Sequence, residues 1–172
     1  MGRTSRLTGT HASLPPFPKP AIICRLGRSG HADAHSTCTL GRQRKNRQGE
    51  IDFGNGLFRS DYSFGSRFEA GAGTNPEELL GEAHSSCFAM ALSLILGEEG
   101  FTPDYVDATA HVTVRPQGGG FKITKSHIVC EAKVPGIDRT AFVNCAEAAK
   151  AGCPVSQALA GTEITLEANF VD

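Results

Sequence analysis

The segment from Thr74 to Gly100 restricts the fold more than any other part of the chain. It opens Thr74-Asn75-Pro76-Glu77-Glu78. Asn75 can cap a helix, Pro76 suits the first helical position, and two acids sit at the positive end of the helix dipole. The spacing predicts a helix running to Gly97–Glu99, with Gly100 as its stop. Its second half, Cys87-Phe-Ala-Met-Ala-Leu-Ser-Leu-Ile-Leu96, is apolar all round. A helix without a polar face is expected to be buried on every side, so the rest of the chain must wrap it. The apolar block Phe88 to Leu96 is broken by Ser93 and falls far short of about 18 residues, so no membrane span is expected.

The flanking patterns supply the wrapping. Val106, Ala108, Ala110, Val112 and Val114 alternate with more polar residues, which is the period of a strand. Gly118-Gly119-Gly120 makes a hairpin turn into a second strand, Phe121–Lys133. There the apolar register slips between Ile123 and Ile128, placing a bulge near Ser126. Arg139–Ala151 reads as an alanine-rich helix ended by Gly152, and Cys153-Pro154 opens a short helix to about Ala160. Thr162–Phe170 closes as a strand. Upstream, Glu50–Phe53 and Gly56–Arg59 flank the turn Gly54-Asn55-Gly56, and Asp61–Phe68 reads as another strand. Strands come in groups, with helices between hairpins. The expected class is α+β, with antiparallel sheets packed around a long buried central helix.

Charge divides the chain. Residues 1–49 carry nine Lys/Arg and one acid; residues 50–172 carry eight Lys/Arg and seventeen Asp/Glu. Pro15, Pro16, Pro18 and Pro20 break any helix in the first part, which shows no periodicity. Residues 1–48 are therefore read as a low-order basic tail and 49–172 as the folded domain. The tail has the Arg-rich, acid-poor composition of a transit segment without clear amphipathicity; translated sequence upstream of the native start fits it equally.

Six cysteines are present: Cys24, Cys38, Cys87, Cys130, Cys145 and Cys153. No apolar secretory segment opens the chain, so a reducing, cytoplasmic setting is expected. There, a functional cysteine is catalytic or metal-binding more often than disulfide-bonded. Cys87 lies in the apolar helix, where its bland role is a small core side chain. Cys153 precedes Pro154 at a helix start, a position that favours a thiolate. Arg67 and Glu77 complete the candidate set. A cation near a thiolate lowers its pKa and can hold a peroxide, and a carboxylate can orient that cation. Each charge taken alone is an ordinary surface residue. Glu77 and Cys87 are ten residues apart, roughly 15 Å along one helix. If both serve one site, Glu77 must come from a second copy of the helix, which points to a two-fold dimer. Cys130 and Cys145 are assigned to structure. His84, His111 and His127 are read as packing or surface groups, with His84 placed to tune Cys87 only weakly.

Four separated blocks now acquire a common meaning. Thr74-Asn-Pro-Glu-Glu-Leu-Leu-Gly-Glu-Ala-His-Ser-Ser-Cys-Phe-Ala-Met-Ala-Leu-Ser-Leu94 resembles the signature helix of the OsmC/Ohr family, the osmotically inducible protein C and organic hydroperoxide resistance proteins. Tyr62-Ser-Phe-Gly-Ser-Arg-Phe-Glu69 resembles the block before it. Val134-Pro-Gly-Ile-Asp138 and Ala149-Lys-Ala-Gly-Cys-Pro-Val-Ser-Gln-Ala158 resemble later blocks in the OsmC form. The resemblance spans Gly49 to Phe170. It implies an intertwined homodimer and a cysteine-based peroxidase acting on organic hydroperoxides and hydrogen peroxide. By motif match it makes Cys87 the peroxidatic cysteine, Cys153 the resolving one, and Arg67 with Glu77 the activating ion pair. A lipoyl-type dithiol is the implied reductant, with no metal or organic cofactor. One departure is visible: the family's first strand carries a Trp motif, and this chain has no Trp.

Other classes were weighed. Cys24, His31, His35 and Cys38 could surround zinc, but no Cys-x-x-Cys pair supports that set. The basic tail would attract phosphate, yet it lacks aromatic interleaving and any nucleic-acid motif, so neither nucleic acid nor membrane is an expected partner. The remaining alternative is a catalytically impaired binding or structural relative whose N-terminal strand is missing.

Overall fold

The computed structural model describes residues 36–40, 48–53 and 57–171. All of them belong to the unit His35–Asp172, one of two into which the chain divides. The first strand, β1 (Ser36–Leu40), pairs antiparallel with β2 (Gln48–Phe53), which pairs antiparallel with β3 (Arg59–Ser63). The expected boundary at residue 48 is therefore too late. Ser-Thr-Cys-Thr-Leu is a short β-prone run that gains its partner only from β2. Residues 1–35 and 41–47, and with them Cys24, His31 and His35 of the zinc reading, lie outside the described residues.

The stretch expected as one strand over 61–68 divides. At Ser63 the backbone leaves β3 and enters a one-turn helix, α1 (Phe64–Phe68). A reciprocal cap overrides the aromatic alternation: Ser66 N donates to Ser63 Oγ at 3.0 Å, and Ser63 N donates to Ser66 Oγ at 2.8 Å. Ser66 Oγ also donates to the carbonyl of Thr74 at 2.7 Å, tying α1 to the next helix. Arg67 sits in the last turn of this pinned element.

The central helix, α2 (Pro76–Glu98), has the expected start, with Glu78 N donating to Asn75 Oδ1 at 2.9 Å. It lies against the sheet formed by β4 (Tyr105–Gln117), β5 (Gly120–Lys133) and β6 (Glu163–Val171), beside α3 (Arg139–Gly152) and α4 (Pro154–Ala158). Gly81, His84, Phe88, Leu92 and Leu96 form its buried stripe at helical spacing. The apolar helix is not buried all round, however: Met90 is 71% and Leu94 64% exposed. The second sheet and two helices cover one side; on the other, Phe53 and Phe58 face the first half of α2 across a cleft, while Met90 and Leu94 in its second half stay exposed. By length and composition α2 could cross a membrane, with a mean hydropathy of 1.5 over its best window. Its packing against β4, α3 and α4 accounts for that apolarity as a core helix.

Two details of the second sheet differ from expectation. The hairpin irregularity falls where Thr113 pairs with Lys125 and Val114 with Ile123, leaving Thr124 extra, two residues before Ser126. Furthermore, β6 pairs parallel with β5, so the sheet is mixed. The crossover through α3 and α4 makes this possible, and it stacks both helices beside α2.

Gly81 permits the close approach of α2 to β4. A Cβ there would stand 2.7 Å from the carbonyl oxygen of Ala110. Gly81→Ala is expected to destabilise the protein by about 1–3 kcal/mol despite alanine's better helix propensity. Gly97 has nothing within 4 Å, and Gly97→Ala should gain up to about 1 kcal/mol. Urea unfolding of both variants checks the pair; equal effects would remove the close-approach account.

Candidate active site

Cys87 emerges half-buried on α2, one turn beyond His84. Cys153 is fully buried and joins two helices, ending α3 and preceding Pro154 of α4. Cys153 and the backbone amide of Val155 lie close enough to the Cys87 thiol to shift its pKa. Both thiols are free. Cys153 makes no side-chain capping bond of its own, and the Val155 amide of α4 favours the Cys87 thiolate. Burial is the main influence on the Cys87 thiol and pushes its pKa up; the contact with Cys153 adds to this and the Val155 N–H opposes it. Among the described residues no cation contributes to that shift.

Arg67 and Glu77 form a second cluster near the start of α2. Arg67 Nε donates to Glu77 Oε2 at 3.0 Å and Nη2 donates to Oε1 at 2.6 Å, a forked pair that holds the guanidinium firmly protonated. Glu77 is buried, and the Phe68 ring stacks 5.0 Å from the guanidinium carbon. The pair lines a cleft of about 360 Å³ together with Asn75, His111, Val112 and Val114. Neither cysteine lines this cleft. Within one chain the four candidates thus form two pairs, separated as the ten-residue helical spacing requires.

Cys130 lies in the core with its thiol pushed up to about 11, and burial also raises Cys145. Neither touches the clusters described. Among the described residues no group of His, Cys, Asp and Glu is placed to hold a metal.

The chemistry-bearing sequence is matched over residues 69–168 by the profile described as OsmC-like protein. The chain belongs to the OsmC-like family. It is 54% identical over 111 residues to Peroxiredoxin OsmC of Escherichia coli (strain K12), covering 64% of this chain and 77% of that one. With an Organic hydroperoxide resistance protein of Xanthomonas axonopodis pv. citri (strain 306) it shares 30% identity over 98 residues, 56% of this chain and 67% of that protein. The sequence thus stands nearer the OsmC branch than the Ohr branch. The fold is that of solved relatives: an organic hydroperoxide resistance protein from Elizabethkingia anophelis superposes with a TM-score of 0.65 at 24% identity, covering 82% of this chain and 98% of that one.

His84 is the residue whose place the sequence did not reveal. Its ring is fully buried, with Nδ1 hydrogen-bonded to Ser126 Oγ at 2.8 Å and Nε2 to Ser156 Oγ at 2.9 Å. The only local signal was its position one turn before Cys87. Burial lowers its pKa below the ordinary 6.5. A folded-state pKa below the unfolded one means that the unfolded chain takes up the proton first. The neutral ring's contribution to stability is therefore complete above pH ~6.5 and is lost as pH falls through the folded value. Relative to His84→Gln, the OsmC-like chain should lose melting temperature progressively below that pH. Parallel curves for the two would rule this out.

Proposed function

We propose that this OsmC-like chain is a thiol peroxidase that reduces organic hydroperoxides and hydrogen peroxide. The proximity of Cys153 to the half-buried Cys87 thiol carries the reading, because a sulfenic acid on Cys87 would have a second thiol nearby. The names borne by the Escherichia coli and Xanthomonas relatives support the same chemistry.

The Cys87 thiolate attacks the terminal peroxide oxygen, the O–O bond breaks, and the alcohol leaves after taking a proton. Cys87 becomes a sulfenic acid. The Cys153 thiol condenses with it, releasing water and forming the disulfide. An external dithiol of the lipoyl type then attacks that disulfide, restores both thiols and leaves as its own cyclic disulfide. A reducing cytoplasmic setting suits this cycle.

The activating cation is assigned to a second copy. Among the described residues of one chain only the Val155 amide N–H offsets the burial of Cys87, and the chain's own Arg67 pairs with Glu77 at the start of α2. The uncovered Met90–Leu94 face supports pairing of two α2 helices, which would bring the partner subunit's Arg67 and Glu77 toward Cys87. The impaired-relative alternative rests on a missing Trp-bearing first strand; here the first described strand is β1, paired with β2, and it carries no Trp.

The test is consumption of cumene hydroperoxide and of hydrogen peroxide with a lipoyl dithiol, alongside mass spectrometry for an 87–153 disulfide. Wild-type protein that leaves both peroxides untouched would sink the proposal.

A further inference from the structure

Beyond the reactive sulfurs, a hydrogen bond joins the same two helices. Ser156 is three residues after Cys153 on α4, and His84 is three residues before Cys87 on α2. The His84–Ser156 bond therefore joins the same two helices about one turn from Cys87 on one side and from Cys153 on the other. Ser126, at 0% exposure on β5, fixes the other ring nitrogen and anchors the imidazole to the sheet. Val155, whose amide favours the Cys87 thiolate, lies between Cys153 and Ser156. A neutral ring has one N–H donor and one acceptor, so one serine accepts from it and the other donates to it. α4 is a single turn with no side-chain cap, and the described side-chain bonds that tie it to other elements are His84–Ser156 and the long Gln157–Gly152 contact.

We infer that His84 is a positioning residue for the resolving half of the cycle: through Ser156 it sets α4 so that the Cys153 sulfur stays against Cys87. This rests on the peroxidase reading for its purpose, yet its geometry concerns only how readily the two sulfurs join. That step can be driven without peroxide. The Cys87 thiolate attacks oxidised glutathione, giving a mixed disulfide and one glutathione thiol. Cys153 then displaces the second glutathione and closes the 87–153 bond. Two protein thiols are oxidised and one glutathione disulfide is reduced to two thiols.

The experiment measures the effective concentration of Cys153 toward Cys87 in the full chain, in glutathione redox buffers, with alkylation and mass spectrometry. Ser156→Ala removes one hydroxyl and should lower that concentration roughly tenfold. His84→Asn has an amide that reaches only as far as Nδ1 and should give the same loss. His84→Gln reaches the Nε2 position and should stay within roughly threefold of wild type. A wild-type value for Ser156→Ala overturns the inference. So does an equal fall in the Asn and Gln variants that tracks their melting temperatures, since that is the signature of a purely structural histidine. Because no peroxide is used, failure of hydroperoxide consumption leaves this readout intact, and failure here leaves peroxidase activity to its own assay.

Discussion

Cys87→Ser is expected to lower hydroperoxide consumption by at least ~10³-fold under dithiol-coupled conditions. A serine hydroxyl at this site is neither ionised nor soft enough to attack an O–O bond, and no other described thiol can replace it. Cys130 and Cys145 are buried, with thiols raised by burial. Cys153 is fully buried behind Cys87. Cys153→Ser has a different expected outcome: the peroxide step proceeds once, and a sulfenic acid persists at Cys87 for trapping by dimedone. Full activity in Cys87→Ser would remove the assignment at a stroke.

The second large effect concerns Arg67. Its simple removal would leave Glu77 as a buried, unpaired charge, which costs several kcal/mol and confuses activity with folding. The cleaner variant replaces both, Arg67→Met with Glu77→Gln. Its hydroperoxide rate should fall about 10²-fold, the usual effect of losing one preorganised charge at a reacting centre. Co-expression with Cys87→Ser then separates two geometries. If each site takes its cysteine from one copy and its arginine from the other, random pairing of two inactive parents restores roughly a quarter of wild-type activity. If every site is self-contained, the mixture stays as inactive as its parents.

How far the sequence could be read depended on the range of the interactions. The start of α2 was legible at residue level because its cap, its proline and its first-turn acids act within four residues. α3, α4 and β6 were likewise bounded by local glycine and proline signals. The misreadings involve longer-range or competing terms. Ser63 and Ser66 close a cap that aromatic periodicity conceals. The parallel pairing of β6 depends on how a crossover packs, not on the pattern of the strand. β1 is too short to announce itself without β2. Cys87, Cys153, Arg67 and Glu77 could be named as a set through motif resemblance. His84 could not, since its partners stand 42 and 72 residues away.

The bare flank of α2 ties the protein's fate to how much of it is made. Met90 and Leu94 present an oily stripe that water disfavours. On the proposed pairing, a newly folded lone copy leaves that stripe in water until a second copy covers it. Encounter of two copies is second order, so dilution prolongs that exposed interval while abundance shortens it. If two copies do pair, the share of uncovered chains therefore falls as the protein becomes more abundant.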